Sequence, residues 1–218
     1  MFNNKSKALV LGTLLIVIII VLAGYFILHA RNKAAPVPEV TINTKNQPTL
    51  GQPNAPVHLV VFEDLKCGNC KIFTNTIFPE IKKQYIDTGK AKYTLINLAF
   101  IPGSMPAGNA ARCLYDQNKD FFFPYVDYVY ANQPPEEEDW ATVSKLLQFA
   151  QAATPKADLE KLSQCIVENR HYKVLQDNLK IAIDVMKGQV ATPSLYINGK
   201  LVTPLTLVQI KKMMDEVN

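Results

Sequence analysis

Two cysteines, Cys67 and Cys70, lie where the sequence changes from a strand pattern to a helix pattern. The preceding run VHLVVF, residues 57 to 62, is short and rich in β-branched residues, which is typical of a buried strand. After the cysteines, apolar residues recur every four positions from Phe73 to Tyr85, which predicts a helix with one apolar face. We therefore expect the cysteine pair at a strand-to-helix turn.

A second strand pattern, AKYTLINLAF at residues 91 to 100, completes a βαβ unit with parallel strands. Pro79 lies inside the intervening helix pattern and predicts a kink there. In open α/β sheets, reaction sites are placed outside the carboxyl ends of the strands. The two cysteines are expected at that edge.

Residues 104 to 188 have helical patterns, interrupted by a loop at residues 132 to 140 whose acidic triplet is interpreted as solvated surface. The aromatic stretch at residues 121 to 130 is interpreted as core, and an apolar surface that binds clients is the alternative. A strand pattern returns at residues 193 to 199 and ends in Asn-Gly, which predicts a hairpin. A last helix is predicted after the capping residue Thr206.

This order of elements predicts an α/β protein, a thioredoxin fold interrupted by an all-helical insertion. The first part of the thioredoxin-like domain is expected at residues 51 to 103, the insertion at 104 to 188 and the second part at 189 to 218.

An uncharged apolar run occupies residues 8 to 28, and about 20 such residues cross a bilayer core. It predicts one N-terminal transmembrane helix, with residues 1 to 29 as cytoplasmic tail and anchor and residues 30 to 50 as a linker. A cleavable signal peptide is the alternative, although the run does not end at an A-x-A-like site.

The formal net charge of +4 is spread along the 218 residues, which favours a solvated surface over nucleic-acid binding. The sequence contains no Gly-rich phosphate loop and no cluster of metal ligands. No cofactor and no metal are expected.

The spacing of Cys67 and Cys70 favours a redox pair. At the first turn of a helix, free amides and the helix dipole stabilise a thiolate on Cys67, and Cys70 is close enough to resolve a mixed disulfide. A zinc site would need two further ligands, and haem attachment would need a histidine where Lys71 stands. A purely structural bridge stays possible, although so short a loop stabilises little.

Pro193 opens a predicted strand, where a proline is unusual unless the Thr192-Pro193 bond is cis in a tight turn. An edge-strand proline is the alternative. With APVHLVVFEDLKCGNCKIF at residues 55 to 73 and TPSLYINGK at 192 to 200, the chain resembles the DsbA-type thioredoxin-like disulfide oxidoreductases, in their membrane-anchored bacterial group.

The resemblance implies that Pro193 is cis beside the cysteines and that the backbone at Thr192 pairs with an extended substrate. It also implies a catalytic domain outside the cytoplasm, on the periplasmic or extracytoplasmic side, with the N-terminus inside. Many relatives carry a buried acid six residues before the first cysteine, where this chain has Val61.

Three residues beside the cysteines are candidate modulators of the pair. Glu63 and Asp64 are the nearest carboxylates in sequence, and the interpretation as an exposed loop pair beside Lys66 is favoured for them. Asn69 replaces a histidine that the strongest oxidants of the family have between the cysteines, so Cys67 is expected to be less acidic than in those relatives.

Cys113 and Cys165 lie on predicted helices of the insertion. In an oxidising compartment an even pair of cysteines is more often bridged than free, which predicts a structural disulfide. Two buried thiols are the alternative.

These observations predict a thiol:disulfide oxidoreductase that acts on cysteine-containing extracytoplasmic polypeptides in the oxidase direction. The resemblance implies a DsbB-like membrane partner that reoxidises it. A reductase or isomerase would use the same residues. A thioredoxin-like module that binds clients without turnover is the alternative from another class.

Overall fold

The computed structural model describes residues 4–31 and 38–217, and the chain divides into two units, Met1–Val37 and Pro38–Asn218. The first unit contains helix α1 (Asn4–Arg31). Among the described residues, no helix combines the length and the apolar character that a membrane crossing requires. Residues 1 to 3 of the expected tail and residues 32 to 37 of the expected linker lie outside the described residues.

One five-stranded mixed sheet organises the second unit. Its strands are β1 (Thr49–Leu50), β2 (Val57–Asp64), β3 (Ala91–Leu98), β4 (Ser194–Ile197) and β5 (Lys200–Leu201). They lie in the order β1-β3-β2-β4-β5, in which β2 and β3 run parallel and the other neighbours run antiparallel. The predicted parallel βαβ unit is confirmed.

The helices of the second unit lie between β2 and β3, between β3 and β4, and after β5. They are α2 (Gly68–Thr76), α3 (Phe78–Ile81), α4 (Met105–Gln117), α5 (Phe122–Asn132), α6 (Val143–Ala153), α7 (Leu159–Val167), α8 (Tyr172–Val185) and α9 (Leu207–Asp215). A π-helical turn, Lys82–Ile86, continues α3, and a 3₁₀ turn, Lys119–Phe121, precedes α5. Helices α4 to α8 lie between β3 and β4 in the chain, as expected for a thioredoxin fold with a helical insertion.

Side chains of β2 alternate between two apolar layers. Leu59 and Val61 belong to the larger layer, with α2 and much of the insertion, whereas Val60 and Phe62 pack with Ala182 of α8. This alternation follows from the two-residue period of a strand. It also sets which face of the sheet the residues after Phe62 occupy.

The strand β2 is longer than the apolar run predicted. The pattern ended at residue 62, whereas the strand continues through Glu63 and Asp64, which pair with Asn97 and Leu98 of β3. The apolar run stops two residues early because the strand ends in carboxylates.

The helix after the cysteines is broken at Ile77, two residues before the expected kink. Pro79 lies in the first turn of α3, where a proline sacrifices no hydrogen bond.

Part of the segment expected as a linker belongs to the folded unit. Thr49 and Leu50 of β1 pair with Thr94 and Tyr93 of β3, and Glu39 forms an isolated bridge with Lys200. The expected linker, residues 30 to 50, therefore ends earlier than its polar composition indicated. Short edge pairings of this kind leave no apolar periodicity to detect.

The predicted hairpin and last helix are confirmed. Asn198 and Gly199 form the turn between β4 and β5 with φ angles of 46° and 80°, the conformation that Asn-Gly favours. Thr206 caps α9 by accepting a hydrogen bond from the Gln209 amide.

Candidate active site

The cysteine pair lies at the start of α2, directly after β2 and one short turn. Cys67 is the N-cap of α2, and its Sγ accepts a hydrogen bond from the Cys70 amide at 3.4 Å. Sulfur thus takes the place of the side-chain oxygen that usually caps a helix. Both cysteines are free thiols, 5% exposed for Cys67 and 0% for Cys70.

The two thiols have opposite acidities. Hydrogen bonding from the Cys70 thiol lowers the pKa of Cys67 to about 6, with help from Thr192 and from the amides of Cys70 and Asn69 and against the effect of burial. Burial, together with the hydrogen bond to Cys67, raises the pKa of Cys70 well above its usual value. The pair therefore contains one thiolate-forming sulfur and one sulfur that holds its proton.

Thr192 lies beside Cys67. The Cys67 thiol donates to the Thr192 carbonyl oxygen at 3.5 Å, and the Thr192-Pro193 peptide bond is cis. The register explains this position, because Ser194 of β4 is paired with Phe62 near the end of β2. Residues just before β4 consequently reach the carboxyl end of β2, where the cysteine turn begins.

Glu63 is buried, contrary to its interpretation as part of an exposed loop pair. Its side chain is 0% exposed, and neither carboxylate oxygen has a hydrogen-bond partner among the described residues. The pKa of Glu63 is raised to about 8, chiefly by burial, and negative charge on Cys67 acts in the same direction. Glu63 lies two residues closer to the cysteines than Val61 and on the same face of the strand. A buried acid is therefore present on this face, although the position that usually carries it is Val61.

Asp64 is also buried, again contrary to the expectation of an exposed loop pair, but its carboxylate is fully engaged. Oδ1 accepts from the Lys66 amide, and Oδ2 accepts from the amides of Phe100 and Ile101 and from the Ser104 hydroxyl. Asp64 therefore joins the cysteine turn to the loop after β3. Its role is to position that loop. Burial nevertheless raises the pKa of Asp64, since it outweighs these hydrogen bonds.

Asn69 is exposed, and its backbone amide contributes to lowering the Cys67 pKa. Cys113 of α4 and Cys165 of α7 are joined in a disulfide across a sequence separation of 52 residues. In the described part of the chain these two cysteines and His171 form a cluster of the kind that binds metals, but the two sulfurs are bonded to each other and offer no thiolate.

A loop of the insertion also reaches the cysteine turn, which no local pattern indicated. The Gln133 side-chain amide donates to the Lys66 carbonyl at 3.0 Å, and Lys71 Nζ donates to the Gln133 carbonyl at 2.9 Å. Glu136 was interpreted as solvated surface, and its carboxylate accepts from the Gly68 amide at 2.8 Å. These partners lie more than 60 residues apart in sequence, so only the fold brings them together.

A family model described as Thioredoxin matches residues 43–216. The probable disulfide bond formation protein D of Bacillus cereus is 30% identical over 98% of this chain and 98% of its own length. The match therefore spans both proteins almost completely.

The chain belongs to the thioredoxin family and is a DsbA-type thiol:disulfide oxidoreductase.

Solved structures agree with this assignment of the oxidoreductase. The structure of Chlamydia trachomatis DsbA superposes with a TM-score of 0.75 at 31% identity, covering 84% of this chain and 96% of the other. That of oxidised BdbD from Bacillus subtilis superposes with a TM-score of 0.76 at 29% identity, covering 84% and 98%.

Proposed function

We propose that this oxidoreductase is an oxidase that introduces disulfides into cysteine-containing polypeptides outside the cytoplasm, using Cys67 and Cys70. The observation that carries this proposal is the position of Cys67 at the N-cap of α2, where its Sγ accepts from the Cys70 amide at 3.4 Å and its pKa is lowered to about 6. A stabilised thiolate stabilises the reduced enzyme, and a disulfide whose reduced form is stable is a strong oxidant.

In the proposed reaction, a substrate thiolate attacks Cys67 Sγ of the enzyme disulfide. The bond between the two enzyme sulfurs breaks, and Cys70 leaves as a thiolate that takes up a proton. Glu63 is buried, interacts electrostatically with both cysteines and has a pKa of about 8, so it is protonated near neutral pH and can supply this proton. The raised pKa of Cys70 favours the proton transfer.

A second substrate thiolate then attacks the substrate sulfur of the mixed disulfide, and Cys67 leaves as a thiolate. The substrate loses two electrons and gains one disulfide, while the enzyme becomes a dithiol. Thr192 borders Cys67 and offers backbone for pairing with an extended substrate strand. We propose that a DsbB-like, quinone-linked membrane protein takes the two electrons and restores the enzyme disulfide.

The extracytoplasmic location is supported by the disulfide between Cys113 and Cys165, because such bonds persist in oxidising compartments. Attachment through residues 8 to 28, with residues 1 to 7 on the cytoplasmic side, is a proposal that rests on the uncharged apolar run in the sequence alone. Labelling intact cells with a membrane-impermeant maleimide tests the location, since Cys67 of the reduced enzyme should react only if it faces outward. Extraction of membranes at alkaline pH tests the attachment separately.

The reduction potential of the full-length protein tests the direction of the reaction. The protein is equilibrated in glutathione buffers, and each cysteine pair is scored by alkylation and mass spectrometry. A value near about −120 mV supports an oxidase, and a value near about −270 mV supports a reductase or an isomerase.

A trapping experiment tests the chemistry itself. In Cys70→Ala, the Cys67 thiolate can attack a client disulfide and release one client thiolate. The resulting mixed disulfides should accumulate, because Cys70 is no longer there to attack Cys67 and only a client thiol can resolve them. Cys67→Ala is the matched control and should trap nothing. If Cys70→Ala traps nothing either, the proposed exchange at this pair is wrong.

A further inference from the structure

The contact between Glu136 and Gly68 places a carboxylate at the redox helix from outside it. Gly68 is the first residue of α2, and its amide is one of the donors that a helix cannot satisfy internally. Glu136 Oε2 accepts from this amide at 2.8 Å. Cys67 directly precedes Gly68, and its Sγ accepts a hydrogen bond from the Cys70 amide at the same end of the helix.

The loop that carries Glu136 is held in place by its own contacts. Gln133 is 3% exposed, and it contacts the cysteine turn through two hydrogen bonds, one to the Lys66 carbonyl and one from Lys71 Nζ. Two prolines, Pro134 and Pro135, separate Gln133 from Glu136 and restrict the backbone between them. The exposed Glu136 side chain therefore extends from an anchored segment.

The other charged groups around the cysteine turn determine how strongly the Glu136 carboxylate affects Cys67. The ammonium groups of Lys66 and Lys71 donate to the carbonyls of Pro102 and Gln133 rather than to a thiolate. Glu63 is buried and interacts electrostatically with both cysteines, and it adds negative charge only above its pKa of about 8. The Glu136 carboxylate thus binds an amide of the helix end on which the Cys67 thiolate depends.

We propose that Glu136 is a positioning residue that opposes negative charge on Cys67 and makes the Cys67–Cys70 pair a weaker oxidant than it would otherwise be. The carboxylate occupies the Gly68 amide and repels a thiolate on the adjacent residue, so it destabilises the reduced enzyme relative to the disulfide. A residue of the helical insertion therefore lowers the tendency of the proposed oxidase to pass its disulfide to substrates.

The direct test is the exchange equilibrium with glutathione, in which the enzyme disulfide and two glutathione molecules give the enzyme dithiol and one glutathione disulfide. Glu136→Gln keeps an oxygen that can accept from Gly68 and removes the charge. We expect its equilibrium constant toward the dithiol to rise about two- to fivefold, the size of a charge effect at an exposed helix end. The rise should shrink in about 1 M salt, because exposed charges are screened.

Glu137→Gln is the matched control, because it removes the same charge from the neighbouring exposed residue. The inference is overturned if the two variants shift the equilibrium equally, or if Glu136→Gln lowers the constant. A shift that persists unchanged in high salt would also overturn it, since that result indicates a structural effect.

This inference rests on the proposed function, and a second readout keeps the two apart. The pH dependence of Cys67 alkylation in the reduced protein reports its thiolate without any exchange. If no variant exchanges with glutathione, the proposed function fails. The inference still stands when Glu136→Gln alone lowers the alkylation midpoint, and it falls when both variants or neither do so.

Discussion

The Cys70 amide donates to Cys67 Sγ at 3.4 Å, while the Cys70 thiol itself is completely buried. The same residue therefore stabilises negative charge on its partner and is protected from attack. This asymmetry predicts selective modification of the reduced enzyme. The alkylation rate of Cys67 should rise with a midpoint near pH 6, because its pKa is lowered to about 6.

Cys70 should stay largely unmodified at that pH, since burial raises its pKa well above the usual value. Mass spectrometry after timed iodoacetamide treatment measures both rates. Cys70→Ala removes the thiol hydrogen bond that contributes most to the acidity of Cys67, so the midpoint should move to higher pH. Equal rates for the two cysteines near pH 6 would contradict the asymmetry.

Glu63 should make the stability of the oxidised protein fall as the pH rises. Its pKa is raised from 4.5 to about 8 in the folded protein, mainly by burial. Between these values the folded state holds a proton that the unfolded state has lost, so the stabilisation is complete below pH 4.5 and declines up to about pH 8. The slope from one such group is at most about 1.4 kcal/mol per pH unit.

Glu63→Gln removes this titration. As the pH rises from 5 to 8, the free energy of unfolding of Glu63→Gln should therefore increase relative to that of the unmodified protein. Urea unfolding of the oxidised proteins measures the difference without interference from cysteine titration. The free energy of unfolding of the control Glu137→Gln, at an exposed position, should change with pH in the same way as that of the unmodified protein. A constant difference for Glu63→Gln across this range would show that Glu63 is ionised in both states.

The features predicted correctly from the sequence were encoded locally. Cys67 and Cys70 stand at a change of periodicity, and the Asn198-Gly199 turn requires only the conformations that these two residues favour. Each of these signals lies within a few residues of the structure that it predicts.

The features that were missed depend on partners distant in sequence. Glu63 and Asp64 look like loop residues because carboxylates are rarely buried, and two of the three amides that donate to the Asp64 carboxylate lie 36 and 37 residues away. The contact between Glu136 and Gly68 spans 68 residues. No window of sequence contains both sides of such a contact, so periodicity and composition cannot reveal it.

The disulfide between Cys113 and Cys165 should stabilise the insertion without taking part in exchange. It ties α4 to α7 across 52 residues, and closing a loop of that size contributes about 2 to 4 kcal/mol. The double variant Cys113→Ala, Cys165→Ala should lose about that much free energy of unfolding in urea. Its exchange equilibrium with glutathione at Cys67 and Cys70 should be unchanged, and a large shift there would show that the two pairs are coupled.

Asp64 should be the most sensitive polar residue of the cysteine turn. Its carboxylate accepts four hydrogen bonds, from the amides of Lys66, Phe100 and Ile101 and from the Ser104 hydroxyl. Asp64→Asn replaces one acceptor oxygen by an NH2 group, which would face other hydrogen-bond donors in a buried site. The free energy of unfolding should fall by about 2 to 4 kcal/mol. Ser104→Ala removes one of the four bonds and should cost about 1 kcal/mol.

Urea unfolding measures both losses, with the exposed Asp184→Asn as a control that should cost less than about 0.5 kcal/mol. Because Asp64 also fixes the turn that leads into Cys67, Asp64→Asn should slow Cys67 alkylation or shift its midpoint, whereas Asp184→Asn should not. A loss no greater for Asp64→Asn than for Ser104→Ala would mean that the carboxylate is replaceable. The loop after β3 would then be held by its backbone and apolar contacts alone.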